Sequence, residues 1–241
     1  MKTLVLVHGH SVDAQIWNDL KANLSDYQLL VPELSTETQY KSIEAYAEGL
    51  KKWLEAQNIT KCMMIGHSMG GYITLAFAEK YPEMLQGFGL FHSTAYADDD
   101  TKREQRKKTL TFMETHGTAA FVRQAGPNMY AEGFAQAHPE RIKKHIEQYA
   151  QLPIEAVSTG FKAIMNRPDR TQVLQNAAVP VLFIFGQEDK FIPFENNIGL
   201  TELPSDSHTL VLAQSGHMGM IEDPEASAKA IREFMEGIQI A

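Results

Sequence analysis

Ser68 lies in Gly66-His67-Ser68-Met69-Gly70, with Gly71 following, between the apolar run "CMMI" and the helical pattern "YITLAFAEKYP". This is a G-x-S-x-G arrangement, in which small residues let a serine occupy a strained strand-to-helix turn. The turn lifts the hydroxyl into the cleft beyond the strand ends, and the following helix aims its free N–H groups at the same place. A glycine-rich turn whose serine merely caps a helix is the plainer alternative. A serine hydroxyl is a weak nucleophile until a base, oriented by a third group, takes its proton. The sequence offers both partners downstream. "VPVLFIFGQEDKFIP" ends a buried run at Gly186 and then presents Glu188 and Asp189, and "HTLVLAQSGHMGMIEDPE" ends another run and presents His217. Serine, acid and histidine then follow in the order expected of an α/β architecture, each just past a strand. "LVLVHGH" supplies a fourth component. The backbone N–H groups of His10 and of Met69 are placed to form an oxyanion hole, with His8 holding the loop by hydrogen bonds. The His10 side chain also comes within reach of a substrate.

The elements that must position these residues follow from short apolar runs alternating with helical patterns. The runs are "TLVLVHG", "YQLLVPEL", "KCMMIGHS", "QGFGLFHS", "VPVLFIFG" and "HTLVLAQSG". They are nearly continuous, as in parallel strands covered on both faces. Between them, "SIEAYAEGLKKWLEAQN" is amphipathic, and "PEASAKAIREFMEGI" begins with Pro224 in a first-turn position. The expectation is an α/β fold with a doubly wound, six-stranded, mostly parallel sheet.

The alternation fails once. From 94 to 171 only helical patterns occur, broken by "HG", "GP", "HP", "LP" and "RP". The organisation expected is a core of 1–93 and 172–241 with a helical lid over 94–171. The methionines and aromatics of the insertion should form mostly its own core. Phe112, Phe121 and Phe161 should nevertheless line a substrate pocket, together with Met218 beside the base. "TKREQRKK" reads as a solvated helix face, so the inner face of the lid should be apolar. Asp98, Asp99 and Asp100 read as acids at a helix start.

A chain of 241 residues can bury one large α/β core. Its net charge of −8 argues against nucleic acid or an anionic membrane as the main partner, leaving a small-molecule substrate. The single cysteine, Cys62, excludes an internal disulfide framework. No apolar stretch approaches the roughly 20 residues of a membrane span, and "LVLV" is too short for a secretory signal, so a cytoplasmic protein is expected. No His/Cys/carboxylate cluster has metal-site spacing, and neither a metal nor an organic cofactor is expected.

The segments "HGHSVDAQIW", "GHSMGG", "FGQEDKFIP" and "SGHMGMIEDPE" resemble the α/β-hydrolase superfamily, in particular its small, lid-bearing, serine esterase-like members. The resemblance covers both halves of the core and leaves the lid without a signature. It implies a triad of Ser68, His217 and Asp189, the last preferred to Glu188 because it directly precedes "KFIP". Two departures stand out. The antiparallel strands that open the full family sheet are not evident, and "VPELSTETQY" replaces the usual acidic, glycine-rich loop. Ser68 argues against dehalogenase and epoxide hydrolase chemistry, which resembling proteins run with an aspartate nucleophile. Gly9 and Met218 stand where plant-type hydroxynitrile lyases carry threonine and lysine. The expected activity is hydrolysis of a small, largely apolar carboxylic ester through an acyl-enzyme. Cleavage of thioesters, lactones or carbon–carbon bonds remains open, as does a binding or signalling protein that keeps the triad.

Overall fold

The computed structural model describes residues 2–238. All six apolar runs form strands: β1 Thr3–Val7, β2 Gln28–Leu30, β3 Cys62–His67, β4 Leu85–Phe91, β5 Val181–Gly186 and β6 Ser207–Leu212. They make one sheet in the order β2-β1-β3-β4-β5-β6, and every pairing is parallel rather than mostly so. The four central strands are buried almost throughout. The edge strands β2 and β6 are partly open to solvent, as edges with one neighbour must be.

Period-two alternation sends each strand's side chains to two separate cores. Val5 and Val7 pack with Met64 and Phe183 against two helices, α1 (Ile43–Glu55) and α2 (Met69–Lys80). Leu4 and Leu6 pack with Ile65 and Ile184 against Ile16, Trp17, Leu20 and the C-terminal helix. α1 begins where the Ser42 hydroxyl accepts from Ala45 N–H (3.2 Å) and buries Ile43, Tyr46, Ala47, Leu50 and Leu54, the stripe visible in the sequence.

Numbering α-helices of five or more residues, five lie between β4 and β5: α3 Asp100–Ala125, α4 Glu132–Ala137, α5 Pro139–Tyr149, α6 Ile154–Met165 and α7 Thr171–Gln175. α7 leads back to the sheet, and α8 (Pro224–Gly237) closes the chain with Pro224 in its first turn. α3 is broken at Gly117, whose φ of 81° and ψ of 170° leave the helical region. Among the described residues no helix is long and apolar enough to cross a membrane.

The strand order places the cleft. From β1 the chain goes outward to β2, then returns to the other side of β1 for β3. The loops after β1 and β3 therefore diverge at the carboxyl end of the sheet, the crevice where open α/β sheets take ligands.

Candidate active site

One residue, Ser68, separates the end of β3 from the start of α2. Its φ of 52° and ψ of −115° cost a non-glycine residue roughly 1–3 kcal/mol and persist only where neighbours enforce them. Three hydrogen bonds do so here. Ser68 N–H donates to the Phe91 carbonyl (3.0 Å), and its own carbonyl accepts from Gly71 N–H (2.9 Å) and the Ser93 hydroxyl (2.8 Å). The flanking glycines are a steric requirement. A Cβ on Gly66 would meet the Gly70 carbonyl oxygen at 2.1 Å, and one on Gly70 would meet the Val7 carbonyl oxygen at 2.2 Å.

His217 and Asp189 come from the loops after β6 and β5. Asp189 Oδ2 accepts from His217 Nδ1 at 2.7 Å. Oδ1 accepts the backbone N–H groups of Phe191 (2.8 Å) and Ile192 (2.9 Å), so both oxygens are committed. Burial alone would raise the Asp189 pKa, but the charge and hydrogen bond of His217, with His92 and Ile192, hold it below the ordinary aspartate value. Because Nδ1 donates to a carboxylate, the neutral ring keeps Nε2 as an acceptor. Glu188 is exposed and faces the other way, accepting from Glu132 N–H (3.4 Å). The Met69 and His10 N–H groups donate to no protein acceptor among the described residues.

Ser68, His217 and His10 open onto one cavity of about 530 Å³. α3, the segment after it and α6 supply much of the wall, including Phe121, Val122, Met129, Phe161 and Ile164. The His10 ring packs 6.2 Å from Phe121 and 5.5 Å from Phe161, with Nε2 donating to the Val157 carbonyl (2.7 Å). Burial lowers its pKa to about 4, so the ring is neutral at pH 7. His8 holds the loop as expected: Nδ1 donates to the Gly9 carbonyl (2.8 Å) and Nε2 accepts Leu34 N–H (2.9 Å).

Of the pocket candidates, Phe121 and Phe161 line this cavity and two do not. Phe112 lies half-buried against His116, ring centroids 4.7 Å apart, because its neighbour Met113 takes the inward position against Val157 and Phe161. Met218 is fully buried in the core with Phe91, Leu212 and Met220, because it caps the short helix Gly219–Glu222 that packs there, and only His217 lines the cavity. The basic run also departs from expectation. Arg103, Glu104, Lys107 and Lys108 are exposed, but Lys102, Gln105 and Arg106 line the cavity. Asp99 does start α3, accepting Lys102 N–H at 2.7 Å, whereas Asp98 is buried and paired with Arg106 and Arg167.

Two further residues pack around the His217–Asp189 pair. His92 Nε2 accepts Gly219 N–H (3.0 Å), which puts its proton on Nδ1, 3.5 Å from Asp189 Oδ2. Burial lowers its pKa to about 3 and keeps it neutral. Glu222 gathers the loop around His217, accepting from Ser215 Oγ (2.9 Å), Gly216 N–H (3.1 Å) and Met218 N–H (3.0 Å), and also from Ala131 N–H (2.7 Å) beside α4. His217 N–H itself donates to the Met129 carbonyl (2.7 Å). Sequence reasoning missed both residues. The one signal for His92 is its place at the end of β4, in "FHS"; for Glu222 it is a carboxylate five residues past the base.

The fold has counterparts in known proteins. An esterase from Thermogutta terrifontis, solved with malate bound, superposes with a TM-score of 0.92 at 28% identity, covering 98% of this chain and 90% of that one. Lipase 3 of Moraxella sp. (strain TA144) is 22% identical over 98% of this chain and 78% of its own length. A putative carbamate hydrolase, RutD, of Pantoea ananatis (strain LMG 20103) is 24% identical over 98% of this chain and 88% of its own. The family model described as the Ndr family matches residues 27–240. With that match across most of its length and a six-stranded parallel sheet of this topology, the chain belongs to the Ndr family of the α/β-hydrolase superfamily.

Proposed function

We propose that this protein is a serine hydrolase that cleaves a small carboxylic ester through an acyl-enzyme, with the helices of 94–171 acting as a lid. The observation that carries this reading is the meeting of the strained Ser68 turn and the Asp189–His217 pair at one cavity. His217 Nε2 takes the Ser68 proton as Oγ attacks the ester carbonyl, and Asp189 stabilises the imidazolium that forms. The Met69 and His10 amides receive the oxyanion. His217 then passes the proton to the leaving alcohol. Water, deprotonated by the same imidazole, attacks the acyl-enzyme and releases the acid and Ser68. The esterase and lipase relatives support a carboxylic ester as the substrate. Phe121, Val122, Met129, Phe161 and Ile164 give the substrate an apolar wall to lie against.

Ser68→Ala tests the assignment. Wild-type protein should hydrolyse short p-nitrophenyl esters over many turnovers and be labelled by a fluorophosphonate. The variant should fold and lose both properties. Undiminished labelling would remove Ser68 from the role, and a single slow covalent turnover by the wild type would favour a receptor.

A further inference from the structure

Beside those apolar side chains part of the cavity wall is basic. α3 turns Lys102, Gln105, Arg106 and Thr109 toward the cavity, residues three and four apart on one helical face, and Lys190 joins them from the loop after β5. Asp99 is the only carboxylate in the lining, and it is engaged as the cap of α3. In a chain of net charge −8, three cations gathered around one cavity are an uneven distribution.

Arg106 is the centre of this wall. Its Nε donates to Asp98 Oδ2 (2.5 Å) and Nη2 lies 3.5 Å from Oδ1, while Nη1 has no protein acceptor among the described residues. Asp98 is already held by Arg167 Nη2 (2.8 Å), whose guanidinium stacks 4.2 Å over the Tyr72 ring. One buried carboxylate thus serves two guanidiniums; Arg167 also has Asp169 as a nearby acid. Of the two, it is Arg106 that lines the cavity and keeps a nitrogen, Nη1, free of protein acceptors among the described residues. The Phe161 ring links Arg106 to the region of Ser68: it lies 5.6 Å from the Arg106 guanidinium carbon and 5.5 Å from the His10 ring. Lys102 reaches the same region, with Nζ 3.4 Å from the Phe191 carbonyl.

We propose that the acyl part of the substrate ends in a carboxylate held by Arg106, with Lys102 and Lys190 at the rim, so that the preferred substrates are half-esters of short aliphatic dicarboxylic acids. The methylene chain lies along Phe161, the ester carbonyl reaches Ser68, and the free carboxylate meets Nη1 of Arg106. One water is consumed for each ester bond cleaved, giving the dicarboxylate and the alcohol. This inference rests on the hydrolase reading for its chemistry, but the anion site can be measured without turnover.

In the Ser68→Ala protein, calorimetry at low salt should show monomethyl glutarate binding about ten- to hundredfold more tightly than dimethyl glutarate, the range of a charge-assisted hydrogen bond. Raising the salt should narrow the gap. Adding Arg106→Gln should remove it, Lys102→Gln should reduce it, and Lys107→Gln, on the exposed face of α3, should leave it intact. Thermal unfolding of each variant separates loss of the site from loss of the fold. If Arg106→Gln does not fold, the Lys102→Gln arm and the salt series carry the decision. Equal binding of the two esters, or a preference that no cavity cation affects, overturns the proposal. Anion preference in Ser68→Ala without hydrolysis by the wild type would sink the catalytic reading, and with it the substrate assignment, and keep only the carboxylate site at Arg106. Hydrolysis of neutral esters with no anion preference would do the reverse.

Discussion

Replacing Asp189 by asparagine changes one atom, and the surroundings dictate how the new amide must sit. Oδ1 accepts two backbone N–H groups, from Phe191 and Ile192, and an NH2 group cannot take that position. The amide oxygen is therefore pinned there, and the nitrogen is forced into the place of Oδ2, facing His217 Nδ1 at about the 2.7 Å now spanned by the hydrogen bond. An amide N–H donates, so His217 must accept at Nδ1 and carry its proton on Nε2. That tautomer cannot take a proton from Ser68. His92 makes the misfit worse, because its Nδ1, which has no hydrogen-bond partner, lies 3.5 Å from the same position.

Reaching the reactive tautomer would set two buried donors against each other, at about 1–3 kcal/mol for each unsatisfied group. The imidazolium formed during reaction also loses a charged acceptor, worth about 1.5–3 kcal/mol. Together these give about 4–9 kcal/mol. The corresponding change in the chymotrypsin triad lowers kcat by ~10⁴, or about 5.4 kcal/mol, which falls inside that range. Asp189→Asn should therefore lower kcat on a short p-nitrophenyl ester by ~10⁴ with KM nearly unchanged and the fold retained. Glu188→Gln, altering an exposed carboxylate that faces away, should stay within about twofold. Initial rates over a concentration series, with circular dichroism of each variant, make the comparison. A loss below about tenfold for Asp189→Asn would mean that this carboxylate does not set the tautomer of His217.

Stability should fall as pH drops from 7 toward 4. Burial lowers His10 and His145 to about 4, His92 to about 3 and His67 well below its ordinary value. Below about pH 6.5 the unfolded chain binds protons that these rings refuse in the folded state, so each costs up to about 1.4 kcal/mol per pH unit until its folded pKa is reached. Urea midpoints measured across that range check this, and a flat profile would contradict the buried neutral rings. On the pocket, Phe161→Ala should shift the optimum acyl length upward, each added methylene that fits gaining about 0.8 kcal/mol, whereas Phe112→Ala should leave it in place. Values of kcat/KM across a series of acyl lengths separate the two, and a shift in the Phe112 variant alone would mean that α3 is rotated from the arrangement described.

The fold and the candidate catalytic groups were legible for a common reason: their signals are local. A parallel strand is written in five or six consecutive apolar residues, and the Ser68 turn in the glycines on either side of it. Asp189 and His217 each follow a strand by a few residues, so placing the strands placed them. The pairing of His217 with Asp189 rather than Glu188 was less secure from the residues alone. What separates the two is orientation: the loop after β5 turns its second carboxylate inward and ties it to its own backbone.

The walls of the cavity were hidden because their determinants are distant in sequence or out of phase. Gly117 interrupts α3, so a count of helical turns from Phe112 cannot be carried through to Phe121, and the two rings lie in different surroundings. "TKREQRKK" looked like a solvated face because a run of charges carries no record of what lies opposite it. Arg106 turns inward to meet Asp98, eight residues earlier, and Asp98 is itself buried because Arg167 reaches it across 69 positions. Glu222 spans 91 positions to Ala131 and so joins the loop of the base to the helical insertion. The candidate catalytic residues could be found from their local turns, whereas the side chains that line the cavity are defined only when remote segments meet. For that reason the chemistry was inferred from sequence with named residues, while the expectation of an apolar lid failed at Lys102, Gln105 and Arg106.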